Sequence, residues 1–349
     1  MIMTEIIPVI MNTNFERLAV IDDYASVIWA SRYYTSGDFE LVVDVNKNNM
    51  KLFVKDYYVV RDDDENVGII EDIKIQKNAD NREQFIVTGR FLDSILGRRI
   101  IAKQTTVTGK ISACINKLIT ENVISPSISA RTINNFVLGS YDITQTMKAQ
   151  YTGKNLLETI AEICKTYGIG FKVTLNADHE FVFQLYEGVD RTYDQTANPW
   201  VIFSDEFDNL LSADYEENYK DYTTAALVAG EGEGLDRKTV WVADEQTGIN
   251  RREVYVDQRQ IRSDDGEISA AEYEELLEEA GQEHLTKFTT LFSGTVYFDS
   301  VTYKEDIGLG DLCVIENKRW GIYLNSRLLE VIESVNEAGE YSIVPTFGI

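Results

Sequence analysis

The 349-residue sequence has few of the side chains that carry out covalent chemistry, with three cysteines and two histidines. Cys114, Cys164 and Cys313 lie far apart and form no C-x-x-C pair, so neither a zinc site nor a disulfide framework has a local pair of ligands. A Ser-His-Asp or Cys-His arrangement needs an imidazole base. His179 lies in a predicted turn and His284 on a predicted helix, where ordinary structural roles are common. We therefore predict no catalytic residue, no cofactor-binding residue and no metal ligand.

Long apolar runs are also lacking, and there are only four prolines. No segment approaches the roughly 18–20 apolar residues that cross a bilayer as a helix. The N-terminal MIMTEIIPVI has no basic region, and Glu5 and Pro8 interrupt its apolar residues, unlike a secretory signal peptide. We expect a protein that is made in the cytoplasm and does not insert stably into a membrane.

Basic residues are scarce relative to acidic ones. The chain has 33 Lys and Arg against 58 Asp and Glu, which gives a net charge of −25. Nucleic-acid phosphates are bound by positive surfaces, so this balance argues against sequence-specific nucleic-acid binding. It is compatible with a conduit through which nucleic acid slides without sticking. The many carboxylates make chance pairs common, so a glycosidase pair is not recognisable from the sequence.

Two loop motifs begin like ligand-binding sequences and then depart from them. Gly230, Gly232 and Gly234 form GxGxG, but neither the next glycine of a dinucleotide loop nor a GK[ST] motif follows. The acidic run DDDEN, residues 62–66, begins like a calcium loop but continues with Val67 where an EF-hand requires glycine. We predict that this run is a charged hairpin tip between two strands.

Alternating apolar and polar residues with turn residues between them dominate the first hundred positions, which is typical of short antiparallel strands. Residues 27–34 and 39–43 predict a hairpin around a Ser-Gly turn. The strand pattern resumes at Phe203 and continues to the end of the chain, with strands predicted at 294–297, 320–323 and 329–332, among others. Because an antiparallel sheet must protect its edges, we expect these strands to curve toward barrels.

Three amphipathic helices interrupt the strands. Apolar residues at helical spacing place two of them at 111–119 and 156–167, the second ending at Gly168. Ser269 and Glu272 form a capping box at the start of the third helix. The predicted fold class is therefore mainly β with α+β insertions, built on two antiparallel β-barrel-like domains.

This pattern also predicts the domain organisation. The first β-barrel-like domain comprises residues 1–107 and about 207–243, and the α+β insertion comprises 108–206. The second β-barrel-like domain comprises 244–349 and carries a helical insertion at about 268–288.

The segment GRFLDSILGRRII, residues 89–101, concentrates arginine in an acidic chain. Its apolar residues are spaced like one face of a short helix that follows a strand, and Arg98 and Arg99 come directly after it. Arginine pairs with carboxylates through two parallel hydrogen bonds. We predict that these arginines anchor a corner or a subunit contact; the alternative is a pair of ordinary surface charges.

The block VIWASRYYTSGDFELVVDV, followed by GIIEDIKI and GRFLDSILGRRII, resembles the opening of a family of siphophage tail-tip proteins. The similarity continues through YGIGFKV, GVDRTYDQ, PWVIFSDEFDNLLSADYEENY, RREVYVDQRQI and the final PTFGI, so it spans nearly the whole chain in order. More remotely, this family resembles the baseplate hub of contractile phage tails.

The resemblance implies a homotrimeric hub at the tail tip of a phage or prophage, in which two related barrel-like domains per subunit form a ring. Such a hub closes the tail tube and contacts the distal tail protein, the tape-measure protein and a receptor-binding or spike protein. The location implied is the virion, after synthesis in the bacterial cytoplasm. The resemblance gives structural or interface roles to six residues: Asp38, Glu40, Arg90, Arg98, Arg99 and Arg191.

No catalytic residue carries over from the family. The sequence stops at Ile349 directly after PTFGI, so we expect no wall-cleaving domain. Two other classes stay open from the residues alone. A carbohydrate-active enzyme would use paired carboxylates. A cell-wall glycan-binding module would use exposed aromatic rings as stacking platforms, and the chain has 4 Trp and 19 Tyr.

Overall fold

The computed structural model describes residues 6–46, 49–77, 82–210, 214–243, 245–263, 268–285, 289–293 and 301–348. Strands make up 41% and helices 19%, so the fold is mainly β, as predicted. The described strands are β1 (Val9–Met11), β2 (Arg17–Val20), β3 (Ser26–Arg32), β4 (Asp38–Asp44), β5 (Tyr58–Val60), β6 (Val67–Lys77), β7 (Glu83–Phe91), β8 (Thr105–Lys110), β9 (Phe136–Leu138), β10 (Thr146–Tyr151), β11 (Gly170–Leu175), β12 (Phe181–Tyr186), β13 (Ile202–Ser204), β14 (Asp214–Asn218), β15 (Ala225–Ala229), β16 (Thr239–Val242), β17 (Glu253–Asp257), β18 (Thr289–Ser293), β19 (Leu312–Asn317), β20 (Ile322–Val335) and β21 (Tyr341–Gly348).

The described α-helices are α1 (Asn49–Leu52), α2 (Ile111–Ile119), α3 (Leu156–Tyr167) and α4 (Ala270–His284). Short 3-10 helices are formed by Leu92–Arg98, Ser129–Arg131, Gly234–Asp236 and Gly248–Asn250, and Thr120–Ile124 is π-helical. The helices predicted at 111–119 and 156–167 match α2 and α3, and Gly168 ends α3 with a left-handed φ of 71°. The predicted capping box of Ser269 and Glu272 is present at the start of α4.

One large sheet joins the first and last parts of the chain. Its strands follow the order β14-β18-β21-β20-β3-β4-β7-β6-β5-β1-β2, with β19 paired to β20 and β13 to β19. The first and last parts of the chain are connected by antiparallel pairing of β20 with β3, from Glu330 opposite Arg32 to Val335 opposite Val27. The sheet is not closed into a barrel: among the described strands, its path ends at β2 and β14. The predicted closure is therefore not found.

The predicted hairpin of β3 and β4 forms the core of this sheet. Alternate side chains point inward because successive residues of a strand face opposite sides, and Trp29 lies opposite Phe39. The Trp29 ring also lies 4.7 Å from that of Phe91 at the end of β7. Gly37 is required in the turn, because a Cβ there would collide with the Phe91 ring and the Ala30 carbonyl.

The α+β insertion packs on the sheet through the segment that contains the two arginines. Leu92 and Leu96 of the 3-10 helix are fully buried in one core with α2 and α3. In the insertion, β8 pairs with β10, and β9, β12 and β11 form a second small sheet. Cys114 and Cys164 are free, buried thiols of this core, and Cys313 is a third in the large sheet.

A second small α/β unit lies between β14 and β18 in the sequence. Strands β16, β15 and β17 form a three-stranded sheet, and α4 covers one face of it through Leu276 and Leu277. This sheet is formed by strands on both sides of position 243, where the sequence suggested a domain boundary. The division into domains stays a prediction.

Near the C-terminus the strand prediction was partly wrong. Residues 320–323 and 329–332 do not form two separate strands. Trp320 lies in a turn, and Ile322–Val335 forms one continuous strand. Ser326 interrupts the apolar alternation because it is polar although it faces the core, and a register shift between Leu328 and Glu330 displaces the pattern a second time. The strand predicted at 294–297 lies outside the described residues.

Candidate functional site

The acidic turn, residues 62–65 between β5 and β6, is the point where distant parts of the chain meet. Each of its four carboxylates is paired with a base: Asp62 with Arg17, Asp63 with Arg61, Asp64 with Lys304 and Glu65 with Lys172. Three of these bases come from β2, from the insertion and from the C-terminal region. The run is a hairpin connection, as predicted, but one of its members is enclosed: the Asp64 side chain is 2% exposed, whereas that of Asp62 is 71% exposed.

At the centre of this junction is a buried ion pair. The Arg61 side chain is 0% exposed and donates to both carboxylate oxygens of Glu333 in β20, at 3.2 and 3.3 Å. It also donates to Asp63 at 2.9 Å and lies over the Trp29 ring at 5.5 Å. Burial alone would lower the pKa of Arg61, but its hydrogen bond to Asp63 and the charge of Glu333 raise it above the ordinary value. Arg61 therefore stays charged.

Lys304 links the same carboxylates to the C-terminal region. Its Nζ lies 2.7 Å from Asp64 and 3.2 Å from Glu333. The Tyr341 hydroxyl in β21 donates to Glu333 at 3.1 Å. We call Arg61, Asp63, Asp64, Lys304 and Glu333 the ionic junction. Buried charges of this kind favour one arrangement because an unpaired member is strongly disfavoured.

Beside the ionic junction, Tyr33 inserts between the insertion and the C-terminal region. Its side chain is fully buried, and its hydroxyl donates to the Gly168 carbonyl at 3.0 Å. A Cβ at Gly170 or at Gly310 would collide with its ring, so both positions are restricted to glycine. The Arg327 guanidinium lies 5.4 Å from the ring centre. Burial raises the pKa of Tyr33 to about 12, which keeps the hydroxyl a hydrogen-bond donor.

A cavity of about 390 Å³ lies between these groups. Residues of three regions line it: the N-terminal sheet, strands β11 and β12 of the insertion, and the segment 303–309. Asp93 is a buried carboxylate in its wall and accepts a hydrogen bond from the Ser36 hydroxyl. Burial raises the pKa of Asp93 to about 6, although Ser36 opposes the shift. These contacts hold the N-terminal sheet, the insertion and the C-terminal region in one arrangement.

The raised pKa of Asp93 predicts a distinct pH dependence of folding. Between an unfolded pKa near 3.8 and a folded pKa of about 6, the folded state binds more protons than the unfolded state. The contribution of Asp93 to stability therefore falls as the pH rises through this range, by an amount on the order of 3 kcal/mol. Relative to wild type, Asp93→Asn should gain stability as the pH is raised from about 4 to about 8, which urea denaturation measures.

Asp62→Asn is the matched control. In the wild-type protein, the hydrogen bond from Arg17 lowers the pKa of Asp62. The contribution of Asp62 to stability is therefore present above the unfolded pKa and is lost as the pH falls. This variant should lose stability relative to wild type as the pH rises, the opposite direction. An Asp93→Asn curve parallel to that of wild type would contradict the assignment.

Within the β3–β4 hairpin, Asp38 and Glu40 lie in different surroundings. Asp38 pairs with Arg32, which also binds Glu330 of β20, so this ion pair ties the hairpin to the C-terminal strand. Asp38 lies opposite Arg90 in the β4–β7 register, but the Arg90 side chain forms its ion pair with a different carboxylate. Glu40 lies opposite Thr88 of β7 in the same register and is half-buried.

Arg90 and Arg98 both pair with carboxylates. Arg90 binds Glu71 of β6 through two hydrogen bonds of 2.7 and 2.8 Å. Arg98 lies 3.0 Å from Asp56 and 4.0 Å from Glu71. These contacts lie at the corner between β7 and the 3-10 helix, and whether they anchor it stays a prediction.

Arg99 and Arg191 hold two other parts of the chain. Arg99 donates to the backbone carbonyl of Arg131 at 2.7 Å, so here a carbonyl takes the place of a carboxylate. Arg191 donates to Asp311 at 2.8 Å, and the same carboxylate accepts from the backbone of Val189 and Gly308. Whether any of the six residues lies at a subunit interface stays a prediction.

Reasoning from the sequence missed Arg61, Glu333, Lys304 and Tyr33. One signal was present: Arg61 stands directly before the acidic run and after two buried valines, an unusual place for a solvated charge. Glu333 and Lys304 carried no signal of their own, because Glu333 is 272 positions from Arg61 and Lys304 is 240 positions from Asp64.

Neither metal nor membrane features appear within the described ranges. No group of three or more His, Cys, Asp or Glu residues there is arranged to hold a metal ion. The described helices also include none that combines the length and the apolar character of a bilayer span.

In its fold the chain is similar to tail proteins of phages and prophages. A tail protein from Neisseria meningitidis MC58 superposes with a TM-score of 0.57 at 15% identity, over 98% of this chain and 96% of that one. The 43 kDa tail protein of prophage MuSo2 from Shewanella oneidensis gives 0.58 at 14% identity, over 98% of each chain. Prophage tail protein gp18 from Listeria monocytogenes EGD-e gives 0.54 at 11% identity, over 98% and 94%.

Residues 7–349 match the family model described as Siphovirus ReqiPepy6 Gp37-like protein, and the chain belongs to this family. The expected relationship to siphophage tail proteins is therefore confirmed. No curated protein matches the chain.

Proposed function

We propose that this chain is a structural component of a phage or prophage tail, and more narrowly the hub of the tail tip. The observation that carries the proposal is membership of a siphovirus family over residues 7–349, together with a tail-protein fold over 98% of the chain. In the proposed particle, three copies form a ring that closes the tail tube. The ring joins the distal tail protein to a receptor-binding or spike protein, with the tape-measure protein inside.

Two features of the surface support assembly. The path of the large sheet ends at β2 and β14 in the described residues, and sheet edges of this kind are usually covered in natural proteins. A net charge of −25 also suits a channel that does not retain DNA.

A scaffold role also suits the ionic junction. Its arginine and lysine are engaged by carboxylates, which favours holding the insertion and the two ends of the chain in one arrangement over catalysis. We propose that the protein is not an enzyme and that Asp38, Glu40, Arg90, Arg98, Arg99 and Arg191 support the ring as structural or interface residues. The division into two related barrel-like domains with insertions is part of the same proposal.

The test is the mass and the shape of the purified full-length protein. Light scattering should give three times the 39.7-kDa mass of the chain, and negative-stain images of the same peak should show a ring with a central hole. The Arg98→Glu/Arg99→Glu variant should shift the mass toward the monomer, because it reverses charge at the corner that carries the insertion. A wild-type monomer that fails to form a ring when co-expressed with the neighbouring tail proteins would overturn the proposal.

A further inference from the structure

Three aromatic side chains form an exposed cluster on the outer surface of β19 and β20. The Tyr193 ring lies 6.0 Å from that of Tyr323, stacked at 20°, and 5.4 Å from that of Trp200, edge to face at 89°. Trp200 is 53% exposed and Tyr323 is 55% exposed. We call Tyr193, Trp200 and Tyr323 the aromatic corner.

The loop that carries two of these rings is held by its own hydrogen bonds. Asp190 accepts from the backbone and hydroxyl of Thr192 at 2.8 and 2.7 Å, and Gln195 bonds to Thr192 and Asn198 at 2.7–3.1 Å. The Trp200 indole N–H donates to the Gln195 carbonyl at 2.9 Å. The orientation of the rings is thus set before any ligand arrives, which reduces the entropy lost on binding.

Polar groups surround the rings at the same surface. Asn325, two residues after Tyr323 on the same side of β20, donates to Asp194 at 2.8 Å. Glu316 lies directly opposite Tyr323 in β19. Burial, Tyr193 and the carboxylates of Asp194 and Glu316 together raise the pKa of Tyr323.

Exposed aromatic rings surrounded by carboxylate and amide groups favour one class of ligand. Aromatic faces carry negative charge density and attract C–H groups, while carboxylate and amide groups bind hydroxyls. A sugar ring offers both, with C–H groups on its face and hydroxyls at its edge. Nearby carboxylates repel anions, and the neighbouring cation Lys318 is already paired with Glu206 and Glu316. The cores of protein interfaces, in contrast, are depleted of charged side chains.

We propose that the aromatic corner is a binding site for a neutral glycan, with Trp200 and Tyr323 as the stacking surfaces and Asp194, Asn325 and Glu316 as hydroxyl partners. This proposal is independent of the trimeric hub, because it requires only a folded chain. In a tail component, such a site would give a contact with surface polysaccharide.

The experiment is calorimetric titration of the full-length protein with neutral oligosaccharides of glucose, galactose, mannose, rhamnose and N-acetylated hexosamines, and with hyaluronan as an anionic comparison. Wild type should bind at least one neutral probe, and hyaluronan not at all. Trp200→Ala and Tyr323→Ala should each weaken binding about tenfold or more. Asp194→Ala should also weaken it while leaving all three rings in place.

Trp241→Ala is the matched control, because Trp241 is also about half exposed but lies in β16 of the separate α/β unit. It should bind the probe like wild type. Absence of binding to every neutral probe would overturn the proposal, and so would equal losses in Trp200→Ala and Trp241→Ala. Light scattering on the same variants separates the two proposals: a changed mass for Trp200→Ala with unchanged glycan affinity would make the corner a subunit contact.

Discussion

Replacing Arg61 with Met should destabilise the protein by about 3–5 kcal/mol, the usual cost of removing one member of a buried ion pair. Arg61 is fully enclosed and engages Glu333 and Asp63. Without it, Glu333 keeps Lys304 and the Tyr341 hydroxyl but loses both guanidinium hydrogen bonds. Urea denaturation at neutral pH and fixed protein concentration measures the change.

Arg17→Met is the control for this prediction. The ion pair of Arg17 with Asp62 belongs to the same acidic turn but is mostly exposed, and exposed pairs contribute little. The Arg61→Met/Glu333→Met double variant should recover much of the loss, because a pair of apolar side chains replaces a buried charge pair at little cost. A loss in Arg61→Met no larger than in Arg17→Met would show that the junction does not hold the fold.

Replacing Tyr33 with Ala should also cost about 3–5 kcal/mol, the range for large buried aromatic residues. The cavity left would be lined by Gly170 and Gly310, whose lack of side chains prevents them from filling it. Tyr33→Phe keeps the ring and should lose only about 1–3 kcal/mol, because the hydroxyl bond to Gly168 disappears in a buried place. Thermal and urea unfolding measure both.

Limited proteolysis adds a second measurement for Tyr33. Since this ring joins the hairpin to the insertion and to the C-terminal region, cleavage in Tyr33→Ala should accelerate between these regions before it does so inside α2 or α3. Tyr255→Ala, at an exposed position of β17, is the control and should behave like wild type. Uniform acceleration over the whole chain would mean that the ring stabilises the fold without joining its parts.

Local patterns in the sequence were sufficient for much of the secondary structure. The helices α2, α3 and α4 follow from apolar spacing, a glycine stop and a capping box, all within a few residues of one another. The β3–β4 hairpin follows from alternation around a Ser-Gly turn. β20 was mistaken for two strands because its inward-facing Ser326 is polar and because a register shift between Leu328 and Glu330 interrupts the alternation.

The candidate site was much less accessible from the sequence. Arg61 and Glu333 are 272 positions apart, and Asp64 and Lys304 are 240 apart, so no local pattern connects them. The arginines of GRFLDSILGRR were identified, but their partners were not, because Asp56 and Glu71 are brought to them by the pairing of the large sheet and the Arg131 carbonyl by the packing of the insertion. The resemblance to a known family indicated the class of protein. The contacts between its distant regions became evident only from the structure.

The pairing of β3 with β20 has a consequence for biosynthesis. Arg32 and Glu330, bonded across this pair, are 298 positions apart, so a ribosome must make nearly the whole chain before the strand can find its neighbour. Until then β3 presents an unpaired edge, and contacts this distant in sequence form slowly. The nascent chain therefore carries this unpaired edge for most of its synthesis, and the sheet is completed only after translation has nearly ended.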